Sequence, residues 1–236
     1  MTKTYVIAGG SKGIGRSLVH LLRQEDTSIH VYSRTSEDLP TDQRLIHHTT
    51  DFSEPTVQLS DLPDQIHGAA YCPGSINLRS FRSLKTDDFQ RDLDLNLLGA
   101  IRFLQACMTG LKKGSDPHPS SVVLFSTIAV QKGLPMHASV AAAKGAIEGL
   151  ARSLAAEWAP KIRVNCVAPA LTQTPLAERF FNTPEKAQGM AEKYPLKRTG
   201  VSEDVAAAAA FLLNEKNSWI TGQVMGVDGG LSSLSL

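Results

Sequence analysis

The sequence is poor in the features that mark disulfide-linked, metal-binding, membrane-spanning or nucleic-acid-binding proteins. Its three cysteines, Cys72, Cys107 and Cys166, lie far apart and form no Cys-x-x-Cys or Cys/His pattern, which indicates reduced, mostly buried thiols and no metal site. The net charge is +1, and no long run of one charge favours nucleic acid or a membrane surface as a partner. No stretch approaches the roughly eighteen apolar residues of a membrane span, and the N-terminus lacks the apolar core of a signal peptide. We therefore expect a soluble, cytoplasmic protein.

What the sequence does contain is an alternation of short apolar runs with helix-length segments. The predicted strands are 5–8, 29–32, 44–48, 68–71, 122–125, 163–167 and 223–227, and the predicted helices are 16–23, 86–111, 139–158 and 202–213. Apolar strands that alternate with helices predict a parallel sheet covered on both faces. With 236 residues and 42% apolar content, the chain fits one α/β domain over 1–236, a doubly wound sheet of the Rossmann type with helices on both faces. The irregular stretch 171–198 is the expected lid over a substrate.

A glycine-rich turn, Gly9-Gly10-Ser11-Lys12-Gly13-Ile14-Gly15, joins the first predicted strand to its helix. Glycines allow a tight turn and let the backbone approach a pyrophosphate, while the next helix offers unpaired N–H groups and the positive end of its dipole. The spacing Gly-x-x-x-Gly-x-Gly differs from the common Gly-x-Gly-x-x-Gly fingerprint. It resembles the nucleotide loop of the short-chain dehydrogenase/reductase family, with Ala8 where threonine is typical.

Further motifs extend this resemblance over nearly the whole chain. They are Asp51-Phe52, Tyr71-Cys72-Pro73-Gly74, Asn96-Leu97-Leu98-Gly99, Arg163-Val164-Asn165-Cys166-Val167-Ala168-Pro169-Ala170, and Ile220-Thr221-Gly222-Gln223 through Val227-Asp228-Gly229-Gly230. The resemblance implies a nicotinamide cofactor, a small-molecule substrate and assembly as a homodimer or homotetramer. The cofactor-binding residues that it implies are Gly9, Ser11, Lys12, Gly13, Ile14, Gly15, Arg34, Asp51, Phe52, Gly74, Lys144, Pro169, Thr172 and Thr174.

The end of the second predicted strand favours NADP(H) over NAD(H). An acidic residue there would hydrogen-bond the ribose 2′-hydroxyl and repel a 2′-phosphate. Here the strand ends in Ser33, which removes that repulsion, and Arg34 follows with a fork suited to phosphate. Lys12 in the glycine-rich turn is a second basic position that resembles the NADP-preferring pattern. The alternative is that both are ordinary solvated surface cations.

The active-site motif of the family is Tyr-x-x-x-Lys, and its tyrosine has no counterpart here. Lys144 stands at the lysine position, but Val140, four residues earlier and on the same helix face, carries no proton. The resemblance places Thr127 at the position of the substrate-binding serine and Asn96 at that of the asparagine that routes a water to the lysine. Loss of a positioned general acid costs about 10²–10⁴-fold in rate, so the substitution raises the question of what supplies the proton.

Three residues are candidates for that role. His137 lies one helical turn before Val140, and histidine is well matched to acid–base work near neutral pH. Ser139 is adjacent, but serine at a helix start is more often an N-cap, and we expect that role for it. Lys144 itself can relay protons through water if burial lowers its pKa. For His137 the alternative is a loop histidine that takes no part in catalysis.

Two functions therefore stay open at this point. The first is an NADP(H)-dependent oxidoreductase that interconverts an alcohol and a carbonyl compound by hydride transfer, with a non-standard proton donor. The second is a catalytically inactive NADP(H)-binding protein that acts as a redox sensor or partner subunit. Val140 favours the second function, whereas Asn96, Thr127 and Lys144 favour the first.

Overall fold

A computed structural model of the protein describes residues 2–24 and 26–235. The strands are β1 (Lys3–Ala8), β2 (Thr27–Ser33), β3 (Leu45–Thr49), β4 (Gly68–Tyr71), β5 (Ser120–Phe125), β6 (Ile162–Pro169), β7 (Thr172–Gln173), β8 (Gly200–Val201) and β9 (Val224–Val227). The helices are α1 (Gly13–Leu22), α2 (Thr86–Leu93), α3 (Gly99–Lys113), α4 (Ala129–Lys132), α5 (Ala138–Trp158), α6 (Pro184–Ala191) and α7 (Ser202–Leu213). Each predicted strand and helix is confirmed in its type, with the observed ends shifted by up to three residues and one predicted helix divided as described below.

Seven parallel strands form one sheet in the order β3-β2-β1-β4-β5-β6-β9. The chain winds outward from β1 to β3 and then starts again at β4 on the other side of β1. In such doubly wound sheets, ligands bind where the strand order reverses, beyond the carboxyl ends of the strands. The topology therefore points to the space beyond β1 and β4.

Two apolar layers cover the sheet. On one face, α3 and α5 contribute Phe103, Leu111 and Ile147 to a cluster of buried residues. On the other face, α1 and α7 contribute Leu18 and Leu212 to a second cluster. Burial on both faces explains why β5 is apolar over Val122–Phe125 and buried at every position. The predicted doubly wound α/β fold is confirmed.

The predicted helix 86–111 is interrupted. Between α2 and α3, residues Asp94–Leu98 form a π-helical turn, in which the Gly99 amide donates to the Asp94 carbonyl. The Asn96 side chain explains the change, because its Nδ2 donates to the Asp92 carbonyl oxygen at 2.8 Å and occupies the backbone acceptor of a regular helical turn. Asn96 itself is fully buried, so the turn carries its amide inward.

The segment predicted as a lid starts and ends at a small second sheet. In that sheet β7 pairs in parallel with β8, with Thr172 opposite Gly200. Between them lie a 3₁₀ helix at Pro175–Phe180 and α6, whose N-cap Thr183 accepts from the Lys186 amide. Within the described residues, no helix combines the length and apolarity that a membrane crossing requires.

Candidate active site

A cleft of about 680 Å³ opens beyond the carboxyl ends of β1, β2 and β4. Its walls come from the glycine-rich turn, the segments after β2, β3 and β4, and the start of the 3₁₀ helix. The lining residues are Gly9, Ser11, Lys12, Gly13, Ile14, Gly15, Ser33, Arg34, Thr35, Thr50, Asp51, Phe52, Ser53, Cys72, Pro73, Gly74, Leu95, Thr174, Pro175 and Leu176. The cleft thus lies at the reversal point of the strand order.

The glycine-rich turn has the backbone geometry of an anion cradle. Gly9 and Gly13 have φ angles of +70° and +52°, which favour glycine, and a Cβ on Gly15 would collide with the Gly9 carbonyl oxygen. Helix α1 begins at Gly13 with no side-chain cap and no acidic residue in its first turn. Its first N–H groups are therefore left for a bound anion.

The far end of the cleft contains two cations and a carboxylate that is hydrogen-bonded to its own loop and not to the cations. Lys12 and Arg34 are exposed, and neither forms a side-chain hydrogen bond or ion pair within residues 2–24 and 26–235. Asp51 instead accepts from the Ser53 amide and hydroxyl at 2.9 and 2.7 Å, and the hydroxyl hydrogen bond lowers its pKa. Both cations are available to an anion in the cleft.

Asn96 and Lys144 both approach Gly74, which lines the cleft. A Cβ placed on Gly74 would lie 3.4 Å from Asn96 Oδ1 and 3.5 Å from Lys144 Nζ. Asn96 Oδ1 is buried and has no hydrogen-bond partner among the described residues. A buried acceptor and a buried amine that face the same small space are suited to a shared water.

Burial is the dominant influence on Lys144. The side chain is 7% exposed, and desolvation lowers the pKa of its amine to about 8, against the opposing effects of Cys166, Cys72 and Asp92. Both thiols are uncharged near neutral pH, because burial raises the pKa of each to about 12. The amine can therefore gain and lose its proton at pH values close to neutral.

The neighbouring hydroxyls of Ser126 and Thr127 form different hydrogen bonds. Ser126 donates to the buried Glu148 carboxylate at 2.7 Å, whereas the half-buried Thr127 hydroxyl accepts only a 3.3 Å bond from the Ala129 amide. The Thr127 hydroxyl hydrogen is thus not used by that bond. Of the two, Thr127 is the hydroxyl that a substrate oxygen can recruit.

The expected N-cap role of Ser139 is wrong. Helix α5 begins one residue earlier than predicted, with His137 at the N-cap and no side-chain cap. Ser139 lies inside the first turn, and its hydroxyl is buried without a partner among the described residues. The His137 ring Nδ1 lies 2.7 Å from the Pro135 carbonyl oxygen. Because a carbonyl only accepts, Nδ1 donates, and Nε2 is left for other contacts.

Comparison with known proteins places the chain in a family. A family model described as enoyl-(acyl carrier protein) reductase matches residues 8–232. L-xylulose reductase of Bos taurus is 30% identical over 95% of this chain and 94% of its own, and a tropinone reductase homolog of Arabidopsis thaliana is 29% identical over 98% and 92%. The crystal structure of a short chain dehydrogenase family protein from Francisella tularensis covers 99% of this chain and 100% of its own, with a TM-score of 0.88 and 24% identity, which shows the fold. The chain belongs to the short-chain dehydrogenase/reductase family.

Membership in this family makes the protein an oxidoreductase of the short-chain type. The residues present fit the nicotinamide dinucleotide that such a fold implies, because the glycine cradle, the uncapped start of α1 and the two free cations all line one cleft. Gly15 is decisive for the fit, since any side chain there would displace the backbone of the cradle.

Most of the residues predicted to bind the cofactor line this cleft, and three do not. Lys144 lies behind Gly74, Pro169 ends β6 with its carbonyl accepting from Ile128, and Thr172 donates to the Ala170 carbonyl. Their cofactor roles stay predictions. Sequence reasoning missed other lining residues: Thr35, Thr50, Ser53, Leu95 and Pro175. Their position directly after a strand, or directly beside a predicted residue, was the available signal.

Proposed function

We propose that the protein is an NADP(H)-dependent oxidoreductase that interconverts an alcohol and a carbonyl compound. The observation that carries the proposal is the convergence of Asn96 Oδ1 and Lys144 Nζ at Gly74, on the wall of a cleft built to hold a dinucleotide. The relatives named as an L-xylulose reductase and a tropinone reductase homolog support a reductase. The bound nicotinamide supplies or accepts the hydride.

The preference for the phosphorylated cofactor rests on charge. Arg34 and Lys12 are the cations at the cleft that have no partner among the described residues, and Ser33 stands in place of the carboxylate that would repel a 2′-phosphate. We expect Arg34→Ser to weaken NADPH binding by about 10–100-fold, as for the loss of a charge-assisted contact. NADH binding should stay within about twofold. Fluorescence titration of both cofactors measures this, and equal affinity of the unaltered protein for NADH and NADPH contradicts the preference.

For the proton, we propose a water held between Lys144 and Asn96. The Lys144 amine, with its pKa near 8, holds a proton at Nζ, and Asn96 Oδ1 is free to accept from a water that contacts it. Thr127 then orients the substrate oxygen. His137 is the second candidate, because its Nε2 is not used by the bond to Pro135. His137→Ala leaves turnover unchanged if the water is the donor and removes most of it if the imidazole is.

Val140 supports the alternative function, an NADP(H)-binding protein without turnover that serves as a redox sensor or partner subunit. The side chain is 6% exposed and lies on the same face of α5 as Lys144. Val140→Tyr places a phenol at this position, with Val140→Phe as the matched control. If only the missing proton donor limits the rate, the tyrosine variant turns over carbonyl substrates about 10²–10⁴-fold faster than the phenylalanine variant.

A substrate screen that follows NADPH absorbance, beside titrations of both cofactors, separates the two functions. Turnover of any carbonyl or alcohol class supports the oxidoreductase. Tight NADPH binding with no turnover of any class by the unaltered protein supports the alternative, whether or not Val140→Tyr turns over. Absence of binding to either cofactor removes both.

We also propose that the segment 171–198 covers a small-molecule substrate and that the chain assembles as a homodimer or homotetramer. The lid contacts the loop after β4, where Arg179 donates to the Ile76 carbonyl at 3.1 Å.

For assembly, the open space around Gly149 on α5 leaves room for the close approach of a second helix. Light scattering gives the oligomeric state directly, and a monomer at all concentrations removes that part of the proposal.

A further inference from the structure

The Asn96 amide is fixed by two donated hydrogen bonds. Its Nδ2 donates to the Asp92 carbonyl oxygen at 2.8 Å and to the Ser75 hydroxyl at 2.9 Å. An amide nitrogen has two hydrogens, and both are used. Oδ1 is therefore held on the side of Gly74, where it has no partner among the described residues.

A carboxylate sets the direction of this chain of hydrogen bonds. The Ser75 hydroxyl lies 2.6 Å from Asp92 Oδ1, and Asn77 Nδ2 lies 3.5 Å from Asp92 Oδ2. Because a carboxylate only accepts, the Ser75 hydrogen points to Asp92 and leaves the oxygen lone pairs for Asn96. A reversed amide would place Oδ1 against two acceptors, so Asp92 determines which way Asn96 points.

Asp92 is also one of three groups that oppose the desolvation of Lys144, and its influence is the smallest of the three. The two residues are 3% and 7% exposed, and Asp92 forms no ion pair within the described residues. The titratable groups that act on the Lys144 amine are the Cys166 thiol of β6, the Cys72 thiol after β4, and Asp92 of α2. Asp92 is the only carboxylate among them.

We propose that Asp92 is a positioning residue of the active site. Its side chain, through the Ser75 hydroxyl, orients the Asn96 amide with Oδ1 toward the space shared with Lys144, and its negative charge favours the charged form of the Lys144 amine. The proposal rests on the proposed function only in assigning Asn96 and Lys144 to the reaction.

The first test is an NMR titration of the protein with isotope-labelled lysine, with the Lys144 signal identified by its loss in Lys144→Arg. Asp92→Asn removes the charge and retains the shape. We expect the midpoint of the Lys144 titration to fall, by up to about one pH unit, which is the lower end of the effect of an adjacent charge. Asp94→Asn is the matched control, because this carboxylate lies two residues on and pairs with Gln90 instead. Equal midpoints in the unaltered protein and in Asp92→Asn overturn the charge part of the proposal.

The second test separates orientation from charge. Ser75→Ala keeps Asp92 but breaks the hydroxyl link, so the hydrogens of the Asn96 side-chain amide should exchange with solvent at least about tenfold faster, while the Lys144 midpoint stays near its original value. Ser75→Thr restores a hydroxyl and should restore slow exchange. Unchanged exchange in Ser75→Ala overturns the orientation part.

Neither NMR measurement requires turnover or bound cofactor. Absence of turnover in the unaltered protein removes the proposed function and leaves this inference standing. Where turnover is found, Asp92→Asn should lower kcat more than it raises KM, and the pH above which carbonyl reduction declines should shift downward with the Lys144 midpoint. A variant with the original pH profile contradicts the positioning role.

Discussion

Replacing Lys144 with methionine should stabilise the cofactor-free protein, and the gain should shrink as the pH rises. Lys144 lies in α5 with 7% of its surface exposed, and its desolvation lowers the pKa of the amine from 10.5 to about 8. Methionine has a similar length, forms helices well and carries no charge that burial would penalise. The substitution therefore removes an electrostatic cost that the folded state bears near neutral pH.

The size and sign of the effect follow from proton linkage. Below about pH 8 both the folded and the unfolded chain hold the proton, and the folded state bears the full cost of the buried charge. Between about 8 and 10.5 the unfolded chain holds more protons, so the stability of the unaltered protein rises with pH. With these two pKa values, the gain from Lys144 between pH 7 and pH 10 is roughly 2–3 kcal/mol. The methionine variant gains nothing from this position.

Urea denaturation of both proteins across this pH range measures the difference. Other groups titrate there too, but they are common to both proteins and cancel in the difference. Lys112→Met serves as the control, because Lys112 is exposed on α3 and its substitution should leave the difference flat with pH. A Lys144→Met variant that is less stable at pH 7 by a constant amount at every pH refutes the reasoning, since the amine would then be solvated or fully paired.

Two further predictions concern the cofactor cleft. Gly15→Ala should abolish cofactor binding in a titration, because a Cβ there collides with the backbone of the cradle. As a control, Gly189→Ala lies on an open face of α6 and should raise the free energy of unfolding in urea by up to about 1 kcal/mol. His47→Leu should weaken NADPH binding several-fold and NADH binding less, because His47 Nε2 contacts the Ser33 hydroxyl and carbonyl at 3.1 and 3.0 Å, beside Arg34. His47→Gln keeps a hydrogen-bond donor and should lose less affinity. Equal losses of affinity for both cofactors contradict a role of His47 in supporting the phosphate contact of Arg34.

Local patterns were sufficient to predict the sheet, the glycine turn and the placement of Lys144 on a helix. These features depend on residues that are close in the sequence, such as the apolar run of β5 or the four-residue spacing from Val140 to Lys144. The π turn at Asn96 escaped prediction, because it results from a side chain that competes for the backbone acceptor of its own helix. Helical periodicity alone contains no sign of that competition.

The parts of the site that the sequence did not predict were missed for a different reason. Asp92 reads from the sequence as a polar residue on the helix 86–111, and Ser75 reads as a loop residue after β4. Their link to Asn96 arises only when the sheet places the end of β4 beside α2 and the π turn. The error at Ser139 is smaller in scale, since a shift of one residue in the start of α5 moves a serine from the cap position into the first turn.

Val140, four residues before Lys144 on the same face of α5, bears on what the buried lysine can do in this site. Beside a phenol, a lysine acts by favouring the phenolate, and the resemblance to the family implies that arrangement. Beside Val140 no phenolate forms, so the cation bears most of the cost of its burial, and the Asp92 carboxylate offsets only a small part of it. A pKa near 8 resolves this, because the amine can release and regain its proton close to neutral pH. With the proposed water between Lys144 and Asn96 as the proton carrier, carbonyl reduction requires the protonated amine and should slow as the pH rises through about 8. Alcohol oxidation requires the free amine and should accelerate over the same range. If the rate of turnover does not change with pH through this range, and His137→Ala is inactive, the His137 imidazole is the proton donor instead of the water at Lys144.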